Sequence, residues 1–238
     1  MAETSQSVHH RLLGGRVCME ATPHLYAAGE DASWLALAAA GLGAQTYYEA
    51  GFGTGAAGLG LLALRPDSKL FTTEKHPPFY QQGLANAQLN NAQERLTLKQ
   101  ADHLTTPQIC QADAAYSNPP FHAISRGFDS PNPHKAMAHG RGFDMADWLD
   151  AMAKQCQQEA PLLLMTHSAD EKDLQAYAQA RGYGLVLARL QSRQQGSIKR
   201  VLALFLAKRS GVEVKTLPTY DENFRQRHLI DGDVLTLV

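Results

Sequence analysis

The chain has 238 residues, 44% of them hydrophobic, which is enough to bury the core of one ordinary globular domain. A formal net charge of -1 excludes a strongly basic overall field, so a nucleic-acid partner would need a local basic patch. The 3 cysteines lie far apart, without the spacing of a zinc site. No run approaches the roughly 18 apolar residues of a membrane span, and the first ten residues lack the pattern of a signal peptide. We therefore expect a cytoplasmic protein with no metal and no membrane partner.

From residue 44 onward, short apolar runs alternate with amphipathic segments, which is the pattern of βα units that build a parallel sheet. The pattern predicts seven strands, at residues 45–50, 69–74, 95–100, 112–117, 161–167, 184–191 and 198–207. It predicts helices at residues 34–43, 56–64, 78–91, 144–158 and 170–181. A short Gln-Gln-Gly turn before the last strand predicts an antiparallel hairpin with the strand that precedes it.

Three regions follow from this pattern. Residues 1–30 are predicted as an N-terminal arm, residues 31–210 as the main domain, and residues 211–238 as accessory strands of the same domain. Within the last region, Asp231-Gly232-Asp233 predicts a turn into a final short strand. The weakly patterned segment 122–142 is long for a loop in a compact domain, and such loops are usually functional.

A glycine loop follows the first predicted strand of the sheet, in the sequence Glu49-Ala50-Gly51-Phe52-Gly53-Thr54-Gly55. Glycine lets the backbone turn sharply and approach a ligand, and the helix that follows offers N–H groups to a negative group. The loop also satisfies the fingerprint of nicotinamide dinucleotide sites, and Glu74 at the end of the next strand could hold ribose hydroxyls in either case. The loop therefore predicts S-adenosylmethionine or a dinucleotide, with a purely structural turn as the alternative.

Two acids refine that choice. Glu49 lies two residues before the first glycine, where a carboxylate would repel a pyrophosphate but could hold the ammonium group of a methionine moiety. Electrostatics thus favours S-adenosylmethionine. Asp102 follows the third predicted strand, at the edge where open α/β sheets bind ligands, and could accept a hydrogen bond from an adenine amino group. A helix N-cap before Thr105 is an equally good interpretation of Asp102.

The segment Asn118-Pro119-Pro120-Phe121, called the acceptor motif below, follows the fourth predicted strand. Each proline holds the residue before it extended, so the Asn118 side chain and the Pro119 carbonyl form a rigid rim. These oxygens could accept both N–H groups of an exocyclic or amide nitrogen and favour its pyramidal form during methyl transfer. Phe121 would stack on the planar substrate. A strand that ends at prolines above a buried Phe is the structural alternative.

Together, the acid before Gly-x-Gly-x-Gly, the acids after the second and third strands, and the acceptor motif resemble class I S-adenosylmethionine-dependent methyltransferases that modify amino groups. More narrowly, the chain resembles the bacterial tRNA(Val) adenine-N6 methyltransferases. The narrower resemblance rests on Leu-Leu-Gly-Gly-Arg-Val at 12–17, Tyr-Ala-Ala-Gly-Glu-Asp at 26–31, Pro-His-Lys-Ala-Met-Ala-His at 133–139 and Leu-Met-Thr-His at 164–167. It covers about residues 12–208.

The resemblance implies a Rossmann-like class I methyltransferase fold, with a seven-stranded, mostly parallel sheet, an antiparallel C-terminal hairpin and helices on both faces. It implies S-adenosylmethionine as cofactor and an N-terminal arm that covers it. The implied cofactor residues are Tyr26, Gly29, Asp31, Glu49, Gly51, Gly53, Gly55, Glu74, Asp102 and Asn118. The implied catalytic residues are those of the acceptor motif: Asn118, Pro119, Pro120 and Phe121.

A tRNA substrate would require cations despite the neutral whole. The candidates lie in the 122–142 segment and near the last two predicted strands: Arg126, Lys135, Arg141, Arg193, Lys199 and Arg200. Three rival functions stay open. A protein glutamine methyltransferase would use the same acceptor geometry, a nicotinamide oxidoreductase would leave the acceptor motif without a role, and a noncatalytic RNA-binding module would bind tRNA without transferring methyl groups.

Overall fold

The computed structural model describes residues 8–21, 29–119 and 144–238. Within these ranges the strands are β1 Val8–Leu12, β2 Val17–Ala21, β3 Thr46–Ala50, β4 Lys69–Glu74, β5 Leu96–Gln100, β6 Ala114–Ser117, β7 Leu162–His167, β8 Gly184–Leu190, β9 Arg200–Leu206 and β10 Val212–Leu217. The α-helices in the same ranges are α1 Glu30–Gly41, α2 Ala56–Leu64, α3 Pro77–Leu89, α4 Met145–Lys154, α5 Glu171–Arg181 and the short α6 Glu222–Arg225. Every strand of the main sheet and every helix that the sequence pattern predicts is present.

Eight of the described strands form one sheet, in the order β10-β8-β9-β7-β6-β3-β4-β5. Neighbours are parallel except at β9, which is antiparallel to both β7 and β8. The Rossmann-like arrangement and the antiparallel C-terminal hairpin are confirmed. The expected number of seven strands is wrong by one, because β10 extends the sheet by pairing parallel with β8.

The strands that carry the predicted motifs all end at one edge of the sheet, called the carboxyl edge below. Strands β3 to β7 are parallel, so the glycine loop, Glu74, Asp102 and Asn118 all follow strand ends at this edge. Strand β9 begins at the same edge, since Arg200 pairs with the last residues of both β7 and β8. The connection 191–199, called the β8–β9 loop, therefore lies at the carboxyl edge too.

Helices cover both faces of the sheet, as expected. Side chains alternate along β3, so Tyr47 packs into the core that contains α1 and α2, and Tyr48 packs into the core that contains α4 and α5. Helix α1 is rich in alanine and buried along most of its length. Small residues let it approach α2 closely, since a Cβ at Gly60 would lie 2.8 Å from the Cβ of Ala36.

The C-terminal segment packs on α1, and the expected final strand is wrong: residues 231–238 form no strand. Leu235 donates its backbone N–H to the Leu37 carbonyl (3.1 Å), and its own carbonyl lies where a Cβ at Gly41 would clash. Arg16, between β1 and β2, donates to the carbonyl of Asp231 (2.6 Å). Segments from the two ends of the described chain therefore meet beside α1.

Candidate active site

The glycine loop, residues 51–55, connects the end of β3 to the start of α2. Gly51, Gly53 and Gly55 have φ angles of +78°, +58° and +96°, a left-handed geometry that is strained for residues with a Cβ. Gly55 is also the N-cap of α2. The conformation therefore requires glycine at each of the three positions that the sequence indicates as ligand-contacting.

Phe52 fills the space beneath the glycine loop. Its side chain is buried, and a Cβ at either Gly55 or Gly58 would lie within 2.8 Å of its ring. Its backbone N–H donates to the Thr73 carbonyl of β4 (2.9 Å). The lack of a side chain at Gly55 and Gly58 makes room for this bulky residue, so its ring packs under the loop from inside the protein.

Glu49, the last residue but one of β3, is buried beneath α2. Its exposed fraction is 2%, and its Oε2 accepts a hydrogen bond from the Tyr116 hydroxyl (3.2 Å). A Cβ at Gly58 would lie 2.4 Å from the same oxygen. Burial raises the pKa of Glu49 well above its ordinary value; the Tyr116 hydrogen bond opposes this rise, and the charge of Glu74 adds to it.

Glu74, at the end of β4, holds the glycine loop in place. Its Oε2 accepts the backbone N–H of Gly53 (2.8 Å), and its Oε1 accepts the N–H of His76 at the start of α3 (2.7 Å). Each carboxylate oxygen has capacity for a further hydrogen bond. The side chain therefore fixes the loop and remains able to accept a ribose hydroxyl.

Asp102 follows β5 and is partly exposed. Its Oδ1 accepts the backbone N–H of Leu104 (3.0 Å), and its Oδ2 forms an ion pair with Lys75 (2.8 Å). Desolvation is opposed by these interactions with Lys75 and the Leu104 N–H, and the net effect lowers the pKa of Asp102. The side chain caps a turn at residues 103–105; no helix follows within the described range 103–113, so the alternative interpretation of Asp102 as a helix N-cap is wrong.

Asn118 and Pro119 follow β6 at the carboxyl edge, and the side chain of Asn118 carries an unusual feature. Its Oδ1 is the one buried side-chain nitrogen or oxygen among the described residues that has no hydrogen-bond partner. An unsatisfied buried acceptor costs about 1–3 kcal/mol and calls for an explanation. A ligand N–H group at this position would satisfy it.

A buried hydrogen-bonded chain that the sequence analysis missed lies on the other face of the sheet. The Nε2 of His103 lies 3.1 Å from the Trp148 carbonyl, and its Nδ1 lies 2.9 Å from the Tyr48 hydroxyl. Because a carbonyl only accepts, Nε2 donates to it, so the neutral imidazole accepts from Tyr48 at Nδ1. Desolvation lowers the pKa of His103 to about 4. No periodicity points to this histidine; its place next to Asp102 is the only sequence signal.

Two asparagines, also missed, hold the β1–β2 hairpin: Asn90 at the C-cap of α3, and Asn86 within α3, which also contacts the glycine loop. The side chain of Asn90 accepts from the N–H of Cys18 (2.9 Å) and donates to its carbonyl (2.7 Å). The side chain of Asn86 accepts from the N–H of Glu20 (2.9 Å) and donates to the Thr54 carbonyl of the glycine loop (2.9 Å). Asparagine is a poor helix former, so two of them four residues apart within the predicted helix 78–91 were a signal that could have been used.

The start of α1 is held by two arginines from the C-terminal half. Asp31 accepts from Nε of Arg200 (2.7 Å), and Glu30 pairs with Arg225. The hydrogen bond from Arg225 lowers the pKa of Glu30 despite partial burial. Gly29, the N-cap of α1, is exposed. Arg200, expected to bind RNA, is thus engaged with Asp31, which was expected to bind the cofactor.

The predicted RNA-binding residues are only partly described. Arg193 and Lys199 are exposed in the β8–β9 loop and form no ion pair with any described residue. Lys208 and Arg209 lie beyond the end of β9, at the opposite edge of the sheet, and each pairs with a glutamate. The predicted site residues that lie outside the described part of the chain are Tyr26, Pro120, Phe121, Arg126, Lys135 and Arg141.

Solved structures of similar architecture include methyltransferases. A predicted O-methyltransferase from Agrobacterium tumefaciens superposes with a TM-score of 0.63 at 14% identity, over 86% of this chain and 97% of that chain. A putative class I S-adenosylmethionine-dependent methyltransferase from Listeria monocytogenes gives 0.61 at 13% identity, over 90% and 72%. The chain has the class I methyltransferase fold.

A third similar structure is the hMettl16 catalytic domain in complex with a hairpin of the MAT2A 3′UTR. Its TM-score is 0.57 at 15% identity, over 82% of this chain and 76% of that chain. No protein-family model matches the chain, and no curated protein matches its sequence. Within the described ranges, no group of three or more His, Cys, Asp or Glu side chains could hold a metal ion. No described helix is long and apolar enough to cross a lipid bilayer.

Proposed function

We propose that this protein is an S-adenosylmethionine-dependent methyltransferase that acts on an amino nitrogen, namely adenine N6 in a tRNA. The observation that carries the proposal is the buried Oδ1 of Asn118, which lacks a partner among the described residues and lies at the carboxyl edge. A free acceptor at this position is what an amino group needs while it is methylated. A dinucleotide oxidoreductase would give it no role.

The residues at the carboxyl edge fit S-adenosylmethionine. The left-handed turns of Gly51, Gly53 and Gly55 allow a ligand to approach the backbone, and Glu74 has acceptor capacity left for a ribose. Asp102, half-buried after β5, would accept from the adenine amino group. When bound, the cofactor supplies an electrophilic methyl group on a sulfonium centre. Gly29 and Asp31 at the start of α1, with Tyr26 before it, would cover the cofactor.

The acceptor motif would orient the amino group and stabilise its changing charge. The Oδ1 of Asn118 and the carbonyl of Pro119 accept its two N–H groups, which favours the pyramidal nitrogen over the planar one. Pro120 would keep the motif rigid, and Phe121 would stack on an adenine turned out of its strand. Alignment supplies most of the rate, and the proton leaves to water after the transfer.

An RNA substrate is supported by charge and position. Arg193 and Lys199 extend from the β8–β9 loop at the same edge as Asn118, with no acidic partner among the described residues. Arg126, Lys135 and Arg141 would add cations from the segment after the acceptor motif. Arg200 would act through Asp31 instead of through phosphate. The similar hMettl16 domain, which binds an RNA hairpin, agrees with this assignment.

The role of Asn118 can be tested by replacing it. Asn118→Ala should lower the rate of methyl transfer to total tRNA by about 100- to 1000-fold, the usual cost of removing one group that stabilises a transition state. Binding of S-adenosylhomocysteine, followed by calorimetry, should change little. Asn118→Asp is the matched control, because it keeps an acceptor oxygen and should retain more activity than the alanine variant. Equal losses of binding and turnover would make Asn118 a structural residue.

The acceptor atom is identified by the product. Nucleoside analysis of the methylated tRNA by mass spectrometry should show N6-methyladenosine. A methyl group on another nitrogen would contradict the tRNA adenine assignment, and methylated glutamine in a protein acceptor would favour the protein methyltransferase. Binding of tRNA with no transfer from radiolabelled cofactor would leave only the noncatalytic module.

A further inference from the structure

Trp148 of α4 lies against three of the strand ends that carry the proposed site. Its indole Nε1–H donates to Oγ of Ser117 (3.0 Å), the residue before Asn118. The tip of its ring lies 3.8 Å from the point that a Cβ at Gly51 would occupy. Its ring meets the imidazole of His103 edge-on, with centroids 4.5 Å apart. This one side chain therefore contacts the glycine loop, the residue before the acceptor motif and the turn after β5.

The side chain of Ser117 also links the neighbouring strands β3 and β6. Ser117 donates its own hydroxyl hydrogen to the Ala50 carbonyl (2.7 Å), so its oxygen is free to accept the indole N–H. Ala50 and Ser117 are register partners in β3 and β6. The next residues along the two strands are Gly51 and Asn118. The hydrogen bonds of Ser117 therefore fix the backbone one residue before both Gly51 and Asn118.

The backbone of Trp148 is fixed as well. Its carbonyl accepts from His103 Nε2, and the chain continues through Tyr48 to Oγ1 of Thr73 in β4 (3.2 Å). Asp144 caps the helix by accepting the N–H of Ala146 (2.7 Å), and its carbonyl accepts the N–H of Trp148 (3.0 Å). A tryptophan held at both its backbone and its indole has little freedom to rotate.

From these contacts we infer that Trp148 is a positioning residue for methyl transfer, which holds Asn118 at its working distance from the cofactor loop through Ser117. The inference rests on the proposed function. Phenylalanine at position 148 would fill most of the same volume but would lack the N–H group. The result would be a folded protein in which the end of β6 is free to shift, and a misplacement of about 1 Å can cost about 100-fold in rate.

The test is a double-mutant cycle on kcat for methyl transfer to total tRNA, with Trp148→Phe, Ser117→Ala and the two combined. Each single variant should lower kcat by about tenfold to 100-fold, with Ser117→Ala the slower because it also loses the hydrogen bond to Ala50. The double variant should be no slower than Ser117→Ala, because both substitutions remove the same indole–hydroxyl interaction. The Kd of S-adenosylhomocysteine should stay within about threefold, a split that a general loss of structure would not produce. Trp34→Phe is the matched control: the other of the 2 tryptophans stacks on Phe224 and should leave kcat unchanged.

A spectroscopic readout makes the result independent of turnover. In a Trp34→Phe background the remaining indole lies against Gly51, so S-adenosylhomocysteine should change its fluorescence. An unchanged kcat in Trp148→Phe, additive losses in the cycle, or no fluorescence response on binding would each overturn the inference while the proposed function stands. Absence of any methyl transfer by the unmodified chain would overturn the proposed function and the inference with it.

Discussion

Glu49 combines burial, which is costly for an ionisable group, with a proposed role in cofactor binding. Its carboxyl group lies under α2 with the Tyr116 hydroxyl as its hydrogen-bond donor, and burial keeps its pKa well above the ordinary value. A neutral carboxyl group suits the protein without ligand. A cationic ammonium group nearby would favour the ionised form. Stability and cofactor binding therefore make opposite demands on the charge of this side chain.

Replacement by glutamine should separate these two demands. A carboxyl group with a raised pKa contributes stability that is fully present below its ordinary pKa and is lost as pH rises through the raised pKa. Glu49→Gln, which cannot ionise, should therefore unfold at a higher temperature than the unmodified protein, with an advantage that grows as the pH rises above the ordinary carboxyl pKa of about 4.3. Thermal unfolding over a series of pH values above this pKa measures the effect.

The same variant should bind S-adenosylhomocysteine more weakly, by about tenfold, because it loses the ionic contribution of the carboxylate. Glu94→Gln makes the same change of charge at an exposed position and should alter neither property. If cofactor affinity were unchanged in Glu49→Gln, the acid would serve only to pack against Tyr116 and Gly58.

At the scale of elements, Asn86 of α3 and Asn90 at its C-cap both hold the β1–β2 hairpin, but only Asn86 also contacts the glycine loop. The side chain of Asn90 pairs with both the N–H and the carbonyl of Cys18 in β2, as the backbone of a neighbouring strand would. Asn86 bonds both β2 and the carbonyl of Thr54. Of these two attachments, only that of Asn86 continues into the proposed cofactor site.

This difference provides a matched pair of variants. Asn86→Ala and Asn90→Ala should each lower the free energy of unfolding by about 1–3 kcal/mol, since each leaves buried backbone groups without partners. Only Asn86→Ala should also weaken S-adenosylhomocysteine binding, by about tenfold, because it releases Thr54. Chemical denaturation and calorimetry measure the two quantities. Equal losses of affinity would place the effect in the hairpin instead of the loop.

The elements also show what the sequence pattern could predict. The alternation of short apolar runs with amphipathic segments located every strand of the βα units. The ends of those strands placed Glu49, Glu74, Asp102 and Asn118 at one edge. It missed β10 as a member of the sheet, because an edge strand with exposed valines lacks the continuous apolar run of its neighbours. It also missed Trp148, His103 and Asn86, whose roles arise from contacts between elements distant in sequence.

For the whole molecule, the reversal of β9 divides the basic side chains between two edges of the sheet. The β8–β9 loop carries Arg193 and Lys199 to the carboxyl edge, whereas Lys208 and Arg209 lie at the other end of β9. The second pair is engaged with glutamates, and the first has no acidic partner among the described residues. Although the net charge is -1, the basic side chains of these two pairs that have no acidic partner among the described residues lie at the carboxyl edge.

Paired charge removal should expose this asymmetry. Arg193→Ala with Lys199→Ala should weaken tRNA binding about tenfold or more at low salt, and should reduce the slope of log K against log salt by about one for each residue. Lys208→Ala with Arg209→Ala removes the same charge from the opposite edge and should leave both values unchanged. Filter binding over a salt series distinguishes the two. Equal effects would indicate attraction by overall charge without a defined RNA surface.

The packing of α1 against Leu235 has a consequence for the order in which the protein matures. The ribosome adds the glycine loop, Asn118 and Trp148 well before it adds residues 229–237, which pack on α1. A nascent chain thus carries every proposed cofactor and acceptor group while the helix that bears Asp31 still has an open flank. Helix α1 gains its contacts with Leu235 only when residues 229–237 emerge, so we expect the proposed activity to appear late, after the motifs have been translated.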